Sequence, residues 1–567
     1  MTLPGLMQTT PLTIRMLFDR MVTVHAASRV HGHDGTFTYG EVGERVLRLA
    51  AALRDELGVL PGDRVASFGF NSARHLELYY AVPLVGAVLH TVNVRLHDEQ
   101  VAAIVAHAED VVVFADGDLV GQLAGVLPDT PSVRHVVVMR GPDVPAPAVE
   151  LPAGVTLHDH DALLAAHRPV HPDDLPDVPE DAAAGLCYTS GTTGMPKGVL
   201  TSHRAQVLHA FGVDMASTFG LTEDDVVLPV VPMFHAFAWG LPYAAPFVGA
   251  DLVLHGADSS PETLAALLTE HRVTVTAGVP TIWKSLLPLV DAGTLDLTDL
   301  RLIGVGGSAS PRSLIAAYDA RGVEYLQIWG MTETGPIACV SRPRRTRGPF
   351  TVEQALDRKA WTGTISPGLE ARITDDDGRV LPQDGEAVGE LEVRGPWIAS
   401  AYYAVDADER FNGGWLRTGD VAVMEPDGTF RIVDRAKDLV KSGGEWISSV
   451  ELEGHLLAHP AVLDAAVVGV PHPRWDERPV AVVVPVDPAA PPTLEELQAF
   501  LADKVARWWL PDAVVPVDDI PKTSVGKLDK KVLRARLGDV LGAGEGAVSG
   551  VAADVPFGVV ASAEVPA

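Results

Sequence analysis

The sequence predicts an α/β protein: a large amino-terminal domain of parallel-rich sheets covered by helices, followed by a smaller carboxy-terminal α+β domain. Three observations predict it. From residue 47 onward short apolar runs alternate with helical stretches, the pattern of parallel strands joined by crossover helices. Segments rich in Gly, Ser and Thr follow several of those runs, at the carboxyl ends of strands where open α/β sheets bind ligands. Past residue 434 the texture changes to closely spaced strands with one clear helix.

Taken in order, the apolar runs 63–68, 111–114, 185–188, 251–254, 273–277 and 301–305 read as buried strands, and 261–270 and 311–320 as helices between them. In the smaller domain 462–470, 480–486 and 513–517 read as strands and 494–505 as the helix. The chain of 567 residues is too long for one core. The expected division is 1–433 for the large domain, a short charged hinge at 434–437, a mobile small domain at 438–537, and a loosely ordered Gly/Ala/Val-rich tail at 538–567.

Hydrophobic residues make up 47% and charged residues 21%, an ordinary globular balance. A net charge of −30 argues against nucleic acid or an anionic membrane as a general partner, so any anion pocket must be basic only locally. With two cysteines, Cys187 and Cys339, there is no disulfide framework and a reducing, cytoplasmic setting is expected. The amino terminus lacks the charged-then-apolar pattern of a signal peptide, and no apolar run is long enough to span a bilayer.

The most informative segment is YTSGTTGMPKG at 188–198. Gly191, Gly194 and Gly198 let backbone N–H groups approach an anion, Thr189, Ser190, Thr192 and Thr193 add hydroxyls, and Lys197 adds a positive charge. Such a loop suits the phosphates of a nucleotide. It is not a Walker A loop, since no glycine directly precedes the lysine and no Ser or Thr follows it.

This loop resembles the phosphate-binding signature of the adenylate-forming superfamily, which includes acyl-CoA synthetases, luciferases and peptide-synthetase adenylation domains. Six more segments recur in that family's order: MFHAFAWG (233–240), GVGGSA (304–309), QIWGMTETGP (327–336), GWLRTGD (414–420), DRAKDLVKSGGEWIS (434–448) and PKTSVGK (521–527). Their form is most similar to the medium- and long-chain fatty acyl-CoA synthetase branch. The resemblance implies a carboxylic acid, ATP with Mg²⁺, and coenzyme A as reactants. Acyl-adenylate and pyrophosphate form first, and the thiolate then displaces AMP.

It also implies a role for each matching residue. Glu333 and Thr189 would hold Mg²⁺, whose ligands are oxygens, and Lys527 would orient the carboxylate and α-phosphate. Gly307, Gln327, Ile328 and Thr332 would line the adenine and α-phosphate, and Asp420 and Arg435 would hold the ribose. Lys441 and Trp446 would close over the nucleotide, with Ser442, Gly443 and Gly444 toward coenzyme A and Lys437 as the hinge. His235, Phe237 and Trp239 would line the acyl pocket. Branch members read FHxNAWG, and here Phe237 takes the asparagine's place.

Plainer readings stand beside these. His235 could be a satisfied core histidine, Phe237 and Trp239 could be core packing, and Lys527 could be one solvated lysine among Lys522, Lys530 and Lys531. For the acid, a medium or long aliphatic chain leads and a ring-bearing acid such as a diterpenoid follows. Rival functions are loading of a carrier protein and, from another class, a catalytically silent acyl-binding protein. No metal cluster or Ser/His/Asp triad is evident, so hydrolysis is not supported. A homodimer through the large domain is expected.

Overall fold

The computed structural model describes residues 3, 5–141, 148–189, 196–343, 349–443, 445–522 and 528–541. It separates into two compact units, one formed by 1–372 with 392–418 and the other by 373–391 with 419–567.

Two sheets organise the first unit. One has seven strands, in the order Thr156–Asp159, His135–Met139, Asp110–Asp116, Arg64–Phe68, Val88–Thr91, Ala183–Thr189 and Lys197–Ser202. All its neighbours run parallel except the last pair, where Thr189 faces Lys197 across an antiparallel turn-back. The other carries a parallel block of Arg29–Gly32, Asp251–Leu254, Val226–Pro229, Val275–Gly278, Leu302–Val305 and Glu324–Gly330. Antiparallel strands Gly35–Thr38 and Ile337–Val340 flank that block. The expected parallel-rich α/β architecture is what the chain adopts.

The strands form where the sequence is apolar without alternation. Leu302–Val305 and Val275–Gly278 are buried along their whole length, as strands covered on both faces must be. Helix starts follow capping chemistry. Ser260 accepts from the Thr263 N–H with Pro261 in the first turn of Pro261–Glu270, and Thr38 and Glu41 close a capping box on Tyr39–Asp55.

The second unit holds a five-stranded sheet in the order Glu445–Ile447, Val440–Ser442, Asp476–Pro485, Val462–His472, with Ala513–Pro516 parallel to Asp476–Pro485. The expected helix runs over Leu494–Leu501. Two further helices, Ser449–Leu456 and Lys530–Leu541, escaped the sequence reading. Charged and apolar residues are interleaved in both without a strong stripe.

One buried carboxylate is left without a partner. Along the helix His203–Asp214 the buried stripe His203, Val207, Ala210 is continued by Asp214, whose two carboxylate oxygens are buried with no hydrogen-bond partner. Burial raises its pKa from 3.8 to about 8. The folded chain therefore keeps a proton that the unfolded chain has released between those values, so this group weakens the fold progressively as pH rises through that window. Asp214→Asn should leave stability at pH 5 little changed and raise it at pH 8 by about 1–3 kcal/mol, read from urea unfolding. Equal gains at both pH values would contradict the assignment.

Candidate active site

Loops at the carboxyl ends of the first unit's strands gather the predicted residues. The segment 230–235 follows the strand Val226–Pro229 and is fixed by Asn71, a residue the sequence did not single out. The Asn71 side chain donates to the carbonyls of Pro229 (2.9 Å) and Val231 (3.0 Å) and accepts from the Met233 N–H (2.7 Å). Tyr79 donates its hydroxyl to the Met233 carbonyl at 2.6 Å. His235, half-buried, then leads into a turn with no sequence signal: Ala236, Phe237, Ala238 and Trp239 all have left-handed φ, from 45° to 57°. Gly240 continues it at 78°.

That turn separates the two aromatics. Phe237 is buried in the core, its ring edge-on to Tyr79 at 6.1 Å between centroids. A Cβ on Gly185 would stand 2.5 Å from its ring. Trp239 is half-buried and lies against Gly306 of GVGGSA, where a Cβ would meet the indole at 3.0 Å.

The nucleotide candidates of the first unit converge in the same way. Gln327 donates to the Ser308 carbonyl at 3.2 Å, joining QIWGMTETGP to GVGGSA. Its buried Oε1 has no partner and is free to accept one. Ile328 and Thr332 are buried, and Gly307 is exposed at φ 89°. The turn Thr332–Thr334 lies beside the strand Ala183–Thr189. Trp329, absent from the sequence expectations as a single residue, packs against the Ala338, Leu369 and Trp397 cluster.

Glu333 is buried, and its Oε1 accepts from Tyr402 Oη (2.6 Å) and Arg410 Nη1 (2.9 Å). Burial and the neighbouring Glu333 charge push the Tyr402 hydroxyl well above its ordinary pKa, so it remains a donor. Lys197 pairs with Asp408 and stands 4.8 Å over the Tyr402 ring. Burial raises the Asp408 carboxyl, but hydrogen bonds from Lys197 and the Arg410 backbone, with their charges, leave it below the usual range. Sequence reasoning missed Tyr402, Asp408 and Arg410, which lie outside the matched segments. Residues 190–195, with Ser190, Gly191, Thr192, Thr193 and Gly194, lie outside the described residues.

In the second unit Asp420 faces Arg435 across paired strands, with Arg435 Nε 3.5 Å from Asp420 Oδ1. Lys441 faces Trp446 in the strand pair Val440–Ser442 and Glu445–Ile447, its ammonium 4.7 Å over the ring. Ser442 Oγ accepts from Arg478 Nη1 at 2.9 Å, and Gly443 turns at φ 62° beside Trp475. Lys437 is exposed. Gly444 and Lys527 lie outside the described residues. Among the described residues no group of three or more His, Cys, Asp or Glu gathers as a metal site, and no helix is long and apolar enough to cross a membrane.

Residues 18–403 match the model of the AMP-binding enzyme family, and 451–527 match that of the AMP-binding enzyme C-terminal domain. The chain belongs to the AMP-binding enzyme family. It is 46% identical over 523 residues to a long-chain-fatty-acid–CoA ligase of Thermus thermophilus, covering 91% of this chain and 93% of that one. It is 41% identical over 543 residues to a 3-methylmercaptopropionyl-CoA ligase of Ruegeria pomeroyi, covering 95% and 99%. Among solved structures, a benzoate CoA ligase from Burkholderia xenovorans superposes with a TM-score of 0.78 at 29% identity, over 93% of this chain and 100% of that one.

Arg410 is the cation facing buried Glu333 in this AMP-binding enzyme, and it keeps about a third of its side chain in solvent. Arg410→Gln should therefore destabilise by about 1–3 kcal/mol, below the cost of breaking a fully buried pair. Adding Glu333→Gln should recover most of the loss in a double-mutant cycle followed by urea unfolding. Strict additivity would mean the pair contributes nothing.

Proposed function

We propose that this AMP-binding enzyme is an ATP-dependent acyl-CoA synthetase acting on a medium- or long-chain fatty acid. The acid's carboxylate oxygen attacks the α-phosphorus of ATP and releases pyrophosphate, leaving an acyl-adenylate. The thiolate of coenzyme A then attacks the acyl carbonyl carbon and releases AMP. The observation that carries the reading is the convergence of Gln327, Ser308, Thr332 and Glu333 at neighbouring strand ends, in a chain so similar to a named fatty-acid–CoA ligase.

The chain's own residues divide the work. The loop at 190–194 with Lys197 receives the phosphates, and Gln327 Oε1 accepts from the adenine amine. Asp420 and Arg435 take the ribose, and Lys441 with Trp446 covers the nucleotide. Glu333 and Thr189 supply the hard oxygen donors that Mg²⁺ takes, and both bonds drawn at the Glu333 carboxylate fall on one oxygen. Held by Glu333 and Thr189, Mg²⁺ would supply positive charge that offsets the charge of the phosphates. Lys527 supplies a positive charge to the carboxylate and α-phosphate in adenylation. Movement about Lys437 then exchanges it for the segment 442–444, which receives the pantetheine thiol. A homodimer and a cytoplasmic setting complete the proposal.

The half-buried Trp239 against Gly306 shapes the acyl pocket, and Phe237 supports it from the core. An apolar aromatic wall favours an aliphatic chain and also admits a ring-bearing acid. A carrier protein in place of coenzyme A is the second reading. ATP–pyrophosphate exchange across a panel of acids, followed by thioester formation with coenzyme A or a pantetheinylated carrier, tests the whole scheme. Absence of exchange with every acid would reject it.

Two variants sharpen the test. Lys527→Ala should lower adenylation by about a hundredfold to a thousandfold while sparing conversion of supplied acyl-adenylate to thioester, measured by single-turnover assays. Equal loss in both steps would contradict the separate roles. Trp239→Ala should shift preference toward longer or bulkier acids while keeping the ATP requirement. An unchanged ranking across the panel would remove Trp239 from the acyl site.

A further inference from the structure

The helix Lys530–Leu541 begins three residues after Lys527, and it carries Lys530 and Arg534 one helical turn apart. Arg534 reaches the segment 434–438 directly, and Lys530 reaches it through Ser449. Lys530 is buried; its ammonium donates to Ser449 Oγ at 2.5 Å and pairs with Glu453 Oε1 at 2.7 Å. Ser449 in turn donates its hydroxyl and its N–H to Asp434 Oδ2, both at 2.6 Å. Arg534 donates to the Lys437 carbonyl at 3.0 Å and pairs with Asp438. The two ends of the 434–437 segment are thus each tied to the same helix.

The root of that helix is fastened as well. Lys522 and Leu528 form an antiparallel bridge, and the Asp529 N–H donates to the Pro521 carbonyl at 2.8 Å. Glu453 accepts a further bond from the Val467 N–H at 2.7 Å, which binds the network to the strand Val462–His472. Burial lifts the Glu453 carboxyl to about 7 and raises that of Asp434, while the Lys530 charge opposes both shifts. Without Lys530, two acids would share one apolar interior with no cation between them.

Ser442 is held differently. Arg478 binds Ser442, pairs twice with Asp512 and donates to the carbonyls of Trp508 and Leu510. None of these contacts involves the helix Lys530–Leu541.

We propose that Lys530 and Arg534 are positioning residues that tie the 434–438 segment to the 521–522 and 528–529 positions flanking Lys527 as one lever, so that adenylation through Lys527 depends on the hinge. The inference rests on the acyl-adenylate mechanism proposed above. Loosening the lever misplaces a group whose action depends on sub-ångström geometry, while Ser442 keeps its own support from Arg478.

Two altered proteins test it in the full chain. Arg534→Gln touches a partly exposed side chain, and Glu453→Gln with Lys530→Met removes both buried charges together, the change least harmful to folding. Each should lower single-turnover adenylation by about tenfold to a hundredfold and leave thioester formation from supplied acyl-adenylate within about twofold of the unaltered chain. Adding Arg534→Gln to Lys527→Ala should give little further loss, since both act through one group. Equal loss in both half-reactions, full adenylation in both altered proteins, or multiplicative losses with Lys527→Ala would each overturn the proposal. If the unaltered chain itself shows no pyrophosphate exchange, the functional reading fails, and this inference with it.

Discussion

Four consecutive non-glycine residues held at left-handed φ between His235 and Gly240 constrain the first unit more than any other local feature. Each such residue costs about 1–2 kcal/mol, so the turn stores about 4–8 kcal/mol that its surroundings must offset. The offsets are visible. Phe237 buries its ring between Tyr79 and Gly185, Asn71 and Tyr79 hold the approach by four hydrogen bonds, and the Ala236 N–H reaches Cys187 Sγ at 3.3 Å. Burying one phenyl ring contributes about 2–3 kcal/mol and the bonds about 1 kcal/mol each, which brings the two sides near balance. The strained turn sends one aromatic into the core and the next against Gly306. Gly185 must then be glycine because the Phe237 ring occupies the space where its Cβ would be, and a Cβ on Gly306 would crowd the Ile328 carbonyl and the Trp239 ring, both at 3.0 Å.

Charge in the first unit follows an equally tight rule. A chain with net charge −30 must keep cations beside the proposed phosphate site without letting them collapse onto surface acids. Lys197 and Arg410 are each parked on one carboxylate, Asp408 and Glu333, with the Tyr402 ring and hydroxyl between the two pairs. In the proposed reaction such pairs exchange partners: an arriving phosphate takes the cation and a divalent ion takes the carboxylate, without leaving a buried charge alone. The arrangement keeps the cations oriented before any ligand arrives, which lowers the ordering cost of binding.

The amino-acid sequence makes the parallel-rich sheets and their covering helices legible because these depend on local patterns. Uninterrupted apolar runs such as 302–305 become strands buried on both faces, and glycine-rich segments fall after them. Asp408, Arg410 and Tyr402 were not legible, since their importance comes from partners 69 and 77 positions away at Glu333 and 211 away at Lys197. The left-handed turn left no trace either. Ala, Phe and Trp carry no preference for positive φ, so only tertiary packing could impose it. The helix Ser449–Leu456 was hidden for a related reason: its start is set by Ser448 and by Asp434, which lies 15 positions upstream of Ser449.

Asp214 and Glu453 show how the same physics serves different ends in the two units. Both are carboxyls removed from water, and burial lifts both toward neutrality, to about 8 and about 7. Glu453 has Lys530 at 2.7 Å and a backbone N–H, so its burial is compensated and the pair fixes where a helix begins. Asp214 has no partner for either oxygen, and the end of a helix adds the unfavourable side of the macrodipole. A compensated buried acid is a structural joint, because removing either member strands the other. An uncompensated one contributes nothing to the fold at neutral pH except strain, which is why its replacement should stabilise where that of Glu453 alone should not.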